Sequence, residues 1–215
     1  MKTETTVIAA ESIQSAVETN MTSPEHIRTL REIMRTLHIQ SDPETLLHSV
    51  CETLKQFPGA DLVSILRPDL SVVVVHPDSA EDRKSVSTTI VRDALEKRQG
   101  LLIRETLKNP SYDKARSVLE QDIRTVICVP VVSADNTIGA LYMDRRHGKS
   151  HAFTVADLQL MVLIADQIGY CFGSLEKISR LERVSESLRL EIDSRFTLVG
   201  QSRPIRSVVE SVEKV

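Results

Sequence analysis

The chain has 215 residues, 41% hydrophobic and 27% charged, which is enough to bury one core of about 150 residues with flanking segments. A formal net charge of −3 and few aromatic residues, four Phe, three Tyr and no Trp, disfavour direct nucleic-acid binding. The apolar runs are far shorter than the roughly 20 residues of a membrane span, and the N-terminus lacks an apolar signal-peptide region. We therefore predict a cytoplasmic protein that binds neither nucleic acid nor membrane.

The cysteines and histidines do not show the spacing of a metal site. Cys51, Cys128 and Cys171 lie far apart in apolar segments, without a CxxC or Cys/His pattern, so we predict reduced and mostly buried thiols. Among the six histidines only His147 and His151 are close in sequence, and they lie in a polar loop. The sequence therefore predicts no metal and no cofactor.

Hydrophobic periodicity and turn residues divide the chain into helices and strands. The predicted elements, in chain order, are a frayed helix or linker over 1–22, helices beginning near residues 25 and 43, a hairpin of 60–67 and 71–76, a helix over 86–98, a strand over 101–104, a loop with a short helix over 105–122, a hairpin of 123–133 and 138–144, and a long helix from residue 154. This order predicts an α+β fold, with a mostly antiparallel sheet and helices packed on one face.

The long final helix changes character along its length. Its apolar stripe is wide as far as Leu175 and then narrows, surrounded by charged residues, to a row at the spacing of a coiled coil. That row consists of Ile178, Leu181, Val184, Leu188 and Ile192. A coiled-coil connector is favoured over 176–195, and a solvated single helix is the alternative.

Two consecutive motifs resemble the C-terminal half of GAF domains. They are RTVICVPVVSADNTIGALYMDRR and HAFTVADLQLMVLIADQIGYCF, in which Phe153 precedes a helix capped by Thr154, with Asp157-Leu158 and Ala165 following. The resemblance covers roughly residues 25–175. It implies a cavity for a small molecule between the sheet and the loops opposite the packed helices, and a homodimer formed through the first and last helices.

A second resemblance lies at the end of the chain. FTLVGQS over 196–202, followed by Ile205, Val208, Val209 and Val212 at helical spacing, resembles the opening of the AAA+ ATPase domain in NtrC-like, sigma-54-dependent transcription activators. The phosphate-binding loop of that family, G-x-x-x-x-G-K-[ST], does not occur before Val215. The resemblance implies a truncated sensory fragment without ATPase activity, whose partner is the AAA+ domain of the same protein.

These patterns give a prediction of the domain organisation. The predicted parts are a linker or tail over 1–24, a GAF domain over 25–175, a helical connector over 176–195 and an incomplete AAA+ start over 196–215.

Candidate ligand-binding residues are the polar residues in the strands and the covering loop, where a GAF cavity would contact them. They are Ser64, Arg67, Arg104, Tyr112, Arg124, Cys128 and Tyr142. An arginine facing the cavity would bind a carboxylate or phosphate through paired hydrogen bonds. Period-two alternation leaves open which face each side chain occupies.

Other chemistries have weaker support. Of the signature of cyclic-nucleotide-binding GAF domains, Asn-Lys and then Phe-x-x-x-Asp-Glu, the chain keeps only Phe153 and Asp157, which a core position and a first-turn carboxylate explain; Asp144-Arg145 replaces Asn-Lys. Cys128 fits a buried strand position better than a reactive thiolate. The cluster over 145–149, RRHGK, would attract an anion or an acidic partner if it were not simply a solvated hairpin end.

The leading functional hypothesis is a regulatory module in which ligand or partner binding shifts paired helices and biases a downstream ATPase. The alternatives are a ligand-free dimerisation scaffold with a filled cavity, and a redox enzyme that depends on Cys128.

Overall fold

The computed structural model describes residues 5–9, 23–39, 42–57, 59–134, 136–146 and 152–196. The chain divides into two compact units, Met1–Ser174 and Leu175–Val215. The first unit contains a sheet with helices packed on it, and the described part of the second is helical. The predicted AAA+ start, apart from its first residue, lies outside the described residues.

The sheet has six strands, and every neighbouring pair is antiparallel. Its strands are β1 (Thr5–Ala9), β2 (Leu62–Leu66), β3 (Val72–His76), β4 (Gln99–Ile103), β5 (Ile123–Ser133) and β6 (Asn136–Arg146), in the spatial order β1-β4-β5-β6-β2-β3. Both predicted hairpins are confirmed, as β2–β3 and β5–β6. The second hairpin supplies the two longest strands, of 11 residues each, at the centre of the sheet.

The edge strand β1 corrects one prediction. The linker or tail predicted over residues 1–24 is wrong at Thr5–Ala9, which pair with Gln99–Ile103 of β4. A five-residue edge strand is held by backbone hydrogen bonds to a partner about 95 residues away, and local periodicity does not report such pairing.

The helices begin where local capping favours them. They are α1 (Pro24–Ile39), α2 (Pro43–Lys55), α3 (Ala80–Ser85), α4 (Thr88–Lys97), α5 (Arg116–Glu120) and α6 (Val155–Phe196), with a 3₁₀ turn over Thr106–Lys108. As predicted, the Asp42 side chain caps α2, accepting a hydrogen bond of 2.8 Å from the backbone N–H of Thr45. Helix α3 was not predicted; Ser79 caps it by accepting from the N–H of Asp82 at 3.0 Å.

Alternation along the strands sends side chains to two separate apolar clusters. The long-helix face of the sheet, which includes Ile65, Val129 and Leu141, packs against α1, α2 and the first part of α6. The short-helix face, which includes Leu66 and Ala140, packs against α4 and α5. The predicted fold class is confirmed: the three long helices share one face, while the short helices cover the other.

Helix α6 lies very close to β5. A Cβ atom added at Gly169 would stand 1.9 Å from the carbonyl oxygen of Val132, so only glycine allows this approach.

The stretch Val155–Leu190 of α6 is long and apolar enough, by length and composition alone, to cross a membrane. However, Leu158, Ile164 and Ile168 within it are buried in the long-helix cluster, and packing on the sheet accounts for their hydropathy.

Candidate functional site

Four of the seven predicted site residues come together on the short-helix face. In the strand register Ser64 pairs with Tyr142 across β2 and β6, and Tyr142 pairs with Cys128 across β6 and β5. These three residues are fully buried, and Tyr112, from the segment that covers this face, is 4% exposed and joins the same cluster. The structure therefore forms one row of candidate side chains across the middle of the sheet.

Apolar side chains fill the space around this row. They come from the strands and from the covering helices, and they are Leu62, Leu66, Val75, Ile90, Val91, Ala94, Leu101, Ile103, Val118, Val126 and Ala140. The Ser64 hydroxyl donates a hydrogen bond of 2.8 Å to the carbonyl of Val74 on the next strand. Ser64, Cys128 and Tyr142 are thus packed core residues of this face.

Burial also determines the chemistry of the thiols. Desolvation raises the pKa of Cys128, with a further contribution from the charge of Asp93, and desolvation alone raises the pKa of Cys51. Both thiols are fully buried, whereas a reactive cysteine needs exposure and a nearby positive charge. The prediction that Cys128 is buried is confirmed.

A buried polar network continues from Tyr142 along β6. The Tyr142 hydroxyl donates to Asp144 at 3.1 Å, and the Arg146 guanidinium donates to both Asp144 oxygens, at 3.0 and 3.2 Å. Tyr142 and Asp144 are fully buried. A buried charge pair with two parallel hydrogen bonds is the arrangement in which a carboxylate is tolerated inside a protein.

The same arginine ties the covering helices to the sheet. Arg146 donates to the Ser85 hydroxyl at 2.8 Å, where α3 ends, and to the Gln121 side chain at 3.4 Å, immediately after α5. Nearby, the Tyr112 hydroxyl donates a hydrogen bond to Asp93 of α4. Side-chain hydrogen bonds therefore link the helices and loops that cover this face to the sheet, and also link them to one another.

The ionisation of Asp144 reflects two opposing effects. Burial raises the pKa of its carboxyl from 3.8 to about 6, while the positive charge and hydrogen bonds of Arg146 act in the opposite direction. At neutral pH the carboxyl is therefore ionised, as its pairing with Arg146 requires. We refer to Tyr142, Asp144 and Arg146 as the β6 network.

Arg104 and Arg124 lie elsewhere, at the end of the sheet from which β4 leaves and β5 enters. Both are exposed, and both line a cleft of about 190 Å³. We call it the basic cleft; it is lined by Arg104, Glu105, Leu107, Lys108, Arg124, Thr125, Arg145, Arg146 and Ala152. Five of these nine side chains are basic and one is acidic.

Arg67 is separated from the other six candidates. It is exposed beside the β2–β3 turn and lines a second cavity, also of about 190 Å³, on the long-helix face. The other lining residues are mostly apolar: Pro43, Glu44, Leu47, Ile65, Leu66, Val73, Val131, Ile138, Gly139, Ile168 and Phe172. The seven predicted residues therefore occupy three places.

Structural roles account for the two residues shared with the cyclic-nucleotide signature. Phe153 is 1% exposed in the long-helix cluster, and the guanidinium carbon of Arg145 lies 4.0 Å from its ring centre. In the first turn of α6, Asp157 accepts hydrogen bonds of 2.7 Å from the backbone N–H of Thr154 and 2.7 Å from His26 Nε2. These contacts agree with the interpretation of Phe153 as a core residue and of Asp157 as a helix-start carboxylate.

The described ranges contain no group of three or more His, Cys, Asp or Glu side chains suited to a metal ion. His147 and His151 lie outside them.

The connectivity of the β6 network was not predicted from the sequence. Asp144 was considered there only as the counterpart of a position in the cyclic-nucleotide signature. Period-two alternation places Tyr142, Asp144 and Arg146 on one face of β6. A tyrosine followed on the same face by an acidic and a basic residue is a pattern from which their hydrogen bonds could have been predicted. The gathering of Lys108 with Arg145 in the basic cleft has no comparable signal, because a loop and a distant strand end bring them together.

Comparison with known proteins agrees with this architecture. The sequence profile of the GAF domain matches residues 42–172, more than half of the chain, and the chain therefore belongs to the GAF domain family. GAF domains are sensory and regulatory modules that bind small molecules, and they commonly dimerise. No curated protein sequence matches the chain.

Several solved structures share the fold. The GAF domain of a phosphoenolpyruvate-protein phosphotransferase from Coxiella burnetii has a TM-score of 0.61 at 15% identity, covering 74% of this chain and 99% of that one. The free methionine-R-sulfoxide reductase from Neisseria meningitidis, in complex with its substrate, gives 0.60 at 17%, covering 75% and 97%. The nlh2 GAF domain of A. aeolicus in an inactive state gives 0.52 at 14%, covering 72% and 97%. At such identities the similarity is one of fold.

Proposed function

We propose that the chain is the regulatory sensory module of a sigma-54-dependent transcription activator. In this proposal a small molecule or partner binds the GAF domain, and a dimeric helix transmits the change to an AAA+ ATPase domain of the same protein. The supporting features are membership of the GAF family, the long helix α6 and the resemblance of residues 196–215 to an AAA+ start. The fold shared with an A. aeolicus GAF domain in an inactive state is compatible with such regulation.

The observation that carries the proposal is the composition of α6 in the second unit. Ile178, Leu181, Val184 and Leu188 recur at spacings of three and four and are 49–68% exposed. Large apolar side chains in a continuous stripe on an exposed helix favour burial against another helix. Pairing of two copies through this stripe would bury it.

Dimerisation through α6 is tested by Leu181→Glu combined with Leu188→Glu. The two leucines lie on the apolar stripe, and burying a leucine stabilises association by about 1.5–3 kcal/mol. We expect sedimentation equilibrium to give a dissociation constant at least about a hundredfold above that of the unchanged chain. Leu190→Glu is the matched control: Leu190 is 65% exposed and lies two residues from Leu188, on the other side of the helix.

An unchanged chain that stays monomeric at the highest concentrations would overturn the dimeric helix. If Leu190→Glu weakened the dimer equally, a charge anywhere on the helix would be enough to weaken association. That result would contradict pairing through the apolar stripe.

The transcriptional assignment has its own test. The reading frame encoding this chain is expected to continue past Val215 into a G-x-x-x-x-G-K-[ST] loop within a few tens of residues. In that protein, deletion of residues 25–175 is expected to change the output of a sigma-54-dependent promoter in a reporter assay. A frame without the phosphate-binding loop, or a deletion with unaltered output, contradicts the proposal.

A second candidate, a ligand-free dimerisation scaffold, is supported by the packing on the short-helix face. Apolar side chains surround Cys128 and Tyr142, which are fully buried, as the scaffold hypothesis expects. The scaffold and the sensor both predict the dimer and differ in ligand binding. Electron density for a bound small molecule, or a ligand detected by native mass spectrometry, would support the sensor.

The redox candidate requires a reactive thiol at Cys128. Its burial predicts that, in the native protein, Ellman's reagent modifies Cys171, which is partly exposed, and leaves Cys128 and Cys51 unmodified. Rapid modification of Cys128 in the folded chain, abolished by Cys128→Ser, would reopen the redox candidate.

A further inference from the structure

The basic cleft is assembled from parts of the chain that are distant in sequence. Its basic side chains come from the segment after β4, from the start of β5 and from the end of β6. They are Arg104, Lys108, Arg124, Arg145 and Arg146. Glu105 is the one carboxylate among the described lining residues. Gathering five cations around one concave space concentrates positive potential there.

Two of these basic side chains form ion pairs with carboxylates at or near the cleft. Arg124 Nε lies 2.9 Å from Asp122, a residue that does not line the cleft, and Lys108 Nζ lies 2.9 Å from Glu105. Within the described ranges the Arg104 side chain takes part in no ion pair. Exposed pairs of this kind are weak and exchange readily with solvent, so Arg104, Lys108 and Arg124 can turn to an incoming anion.

Two more arginines form a firmer wall. Arg146 is held by Asp144 at 3.0 Å with its side chain 11% exposed, and Arg145 is buried above Phe153. Their positions are set by the fold rather than by a ligand. The cleft thus combines a fixed basic wall with three adjustable basic side chains, an arrangement suited to the oxygens of an anion.

We propose that the basic cleft binds a small multivalent oxyanion, a phosphate ester or a polycarboxylate, and that this binding acts on the start of α6. The proposal rests on the sensory function proposed above and assigns it a ligand class and a place. The volume of about 190 Å³ corresponds to about six water molecules, which is room for a phosphate or for two to three carboxylate groups on a short carbon skeleton.

The route to the helix is short. Ala152 lines the cleft and is followed by Phe153 and the first turn of α6. Arg145 faces the cleft while its guanidinium carbon lies 4.0 Å from the Phe153 ring centre. An anion bound against Arg145 therefore holds this arginine in its contact with the residue that leads into α6, and so stabilises the start of the helix.

The position of the cleft also answers a difficulty of the sensor hypothesis. On the short-helix face the candidate residues Ser64, Cys128 and Tyr142 are core residues surrounded by apolar side chains. A ligand there would have to displace packed side chains, whereas the cleft is open and charged without rearrangement.

The test measures binding of pyrophosphate and of tricarballylate to the full chain by titration calorimetry, at constant ionic strength set with sodium chloride. We expect saturable binding, weakened about tenfold or more in the double variant Arg104→Gln, Arg124→Gln. Arg92→Gln, at an exposed arginine of α4 that does not line the cleft, is the matched control and is expected to change the affinity less than about twofold.

Hydrogen exchange with and without pyrophosphate reports the effect on the helix. Slower exchange at residues 153–158, absent in the double variant, supports action on α6. Tighter binding of pyrophosphate identifies the phosphate class, and tighter binding of tricarballylate the polycarboxylate class.

Absence of saturable binding for both anions overturns the site, and so does an equal loss in Arg92→Gln, because general charge would then explain the binding. Binding without any change at residues 153–158 overturns the action on α6. The sedimentation and reading-frame tests of the proposed function do not depend on anions, so the two failures are distinguishable.

Discussion

The short-helix face and the basic cleft both contain arginine and carboxylate side chains, but they treat charge in opposite ways. On the short-helix face Asp144 is fully buried and paired with Arg146 through two hydrogen bonds. In the cleft Arg104 and Arg124 are exposed, and Arg124 pairs with Asp122, which is itself partly exposed. Arg146 belongs to both regions, since it pairs inside and also lines the cleft.

This difference separates support of the fold from ligand binding. A buried pair is costly to break, because removing one partner leaves a charge without compensation in a low dielectric. An exposed arginine contributes little to stability and keeps its hydrogen-bonding capacity for a solute. Polar residues in the interior of a GAF sheet are therefore weak candidates for ligand contacts when apolar groups surround them, and polar residues at the strand ends are better ones.

The largest expected effect comes from breaking the buried side of this comparison. Asp144→Ala removes the carboxylate from Arg146, whose side chain is 11% exposed, and also removes the acceptor of the Tyr142 hydroxyl. We expect the free energy of unfolding, measured by urea denaturation, to fall by about 3–5 kcal/mol.

Asp122→Asn is the matched control, since it removes a carboxylate from an exposed arginine pair. Asp122 has a φ of 48°, which asparagine tolerates, and we expect a loss of about 1 kcal/mol or less. Equal losses in the two variants would contradict the distinction between the two regions.

The pH dependence of Asp144 gives the next effect. Because burial raises its folded-state pKa from 3.8 to about 6, the native state binds the proton more tightly than the unfolded chain does. The resulting stabilisation is complete below about pH 3.8 and is lost as the pH rises through about 6. We expect the difference in unfolding free energy between the unchanged chain and Asp144→Asn to shift by at most about 3 kcal/mol across this window, in favour of the unchanged chain at low pH.

Urea denaturation of both chains at several pH values between 4 and 7 gives that difference. Because the other carboxyl groups are the same in both chains, their contributions cancel in the difference. A difference independent of pH would mean that Arg146 compensates the burial of Asp144 completely.

The fold was largely predictable because most of its elements are locally encoded. The Val-rich segments that became β5 and β6, and the Asp42 cap with Pro43 that begins α2, carry clear periodicity or capping. Strand β1 and helix α3 were missed for opposite reasons. Thr5–Ala9 depends on pairing with a distant strand, and Ala80–Ser85 has no apolar periodicity to detect.

The site was less predictable because facing directions decide it. Ser64 and Cys128 were correctly identified as strand residues, but a sequence does not show that the space beside them is filled. Arg104 follows the last residue of β4, Ile103, so strand alternation does not apply to it. Its neighbours in the basic cleft come from chain segments whose meeting only the tertiary fold determines.

A smaller effect is expected for Ser64→Ala, which tests whether this buried hydroxyl serves the fold. Its hydrogen bond to the Val74 carbonyl measures 2.8 Å, and losing it is expected to lower the unfolding free energy by about 1 kcal/mol in urea. Thr125→Val is a useful comparison, because the Thr125 hydroxyl donates a similar bond of 2.9 Å to the Ile103 carbonyl while the residue lines the cleft.

Anion binding is expected to be unaffected by Ser64→Ala. A marked loss of binding would mean that the ligand binds on the short-helix face.

The smallest effect is expected for Arg104→Gln, and its sign is informative. Arg104 shares the cleft with four other basic side chains and takes part in no ion pair within the described ranges, whereas Lys108, Arg124 and Arg146 each have a carboxylate partner. Because no ion pair is lost with Arg104, we expect repulsion by the other cations to be the larger effect on its charge. Removing that charge is expected to raise the unfolding free energy by up to about 0.5 kcal/mol at low ionic strength. The gain is expected to shrink as salt screens the repulsion, because the side chain is exposed. Urea denaturation at low and at high sodium chloride measures both values. A clear destabilisation at low salt would mean that Arg104 supports the fold as Arg146 does, and the contrast between the buried network and the basic cleft would then fail where the ligand is proposed to bind.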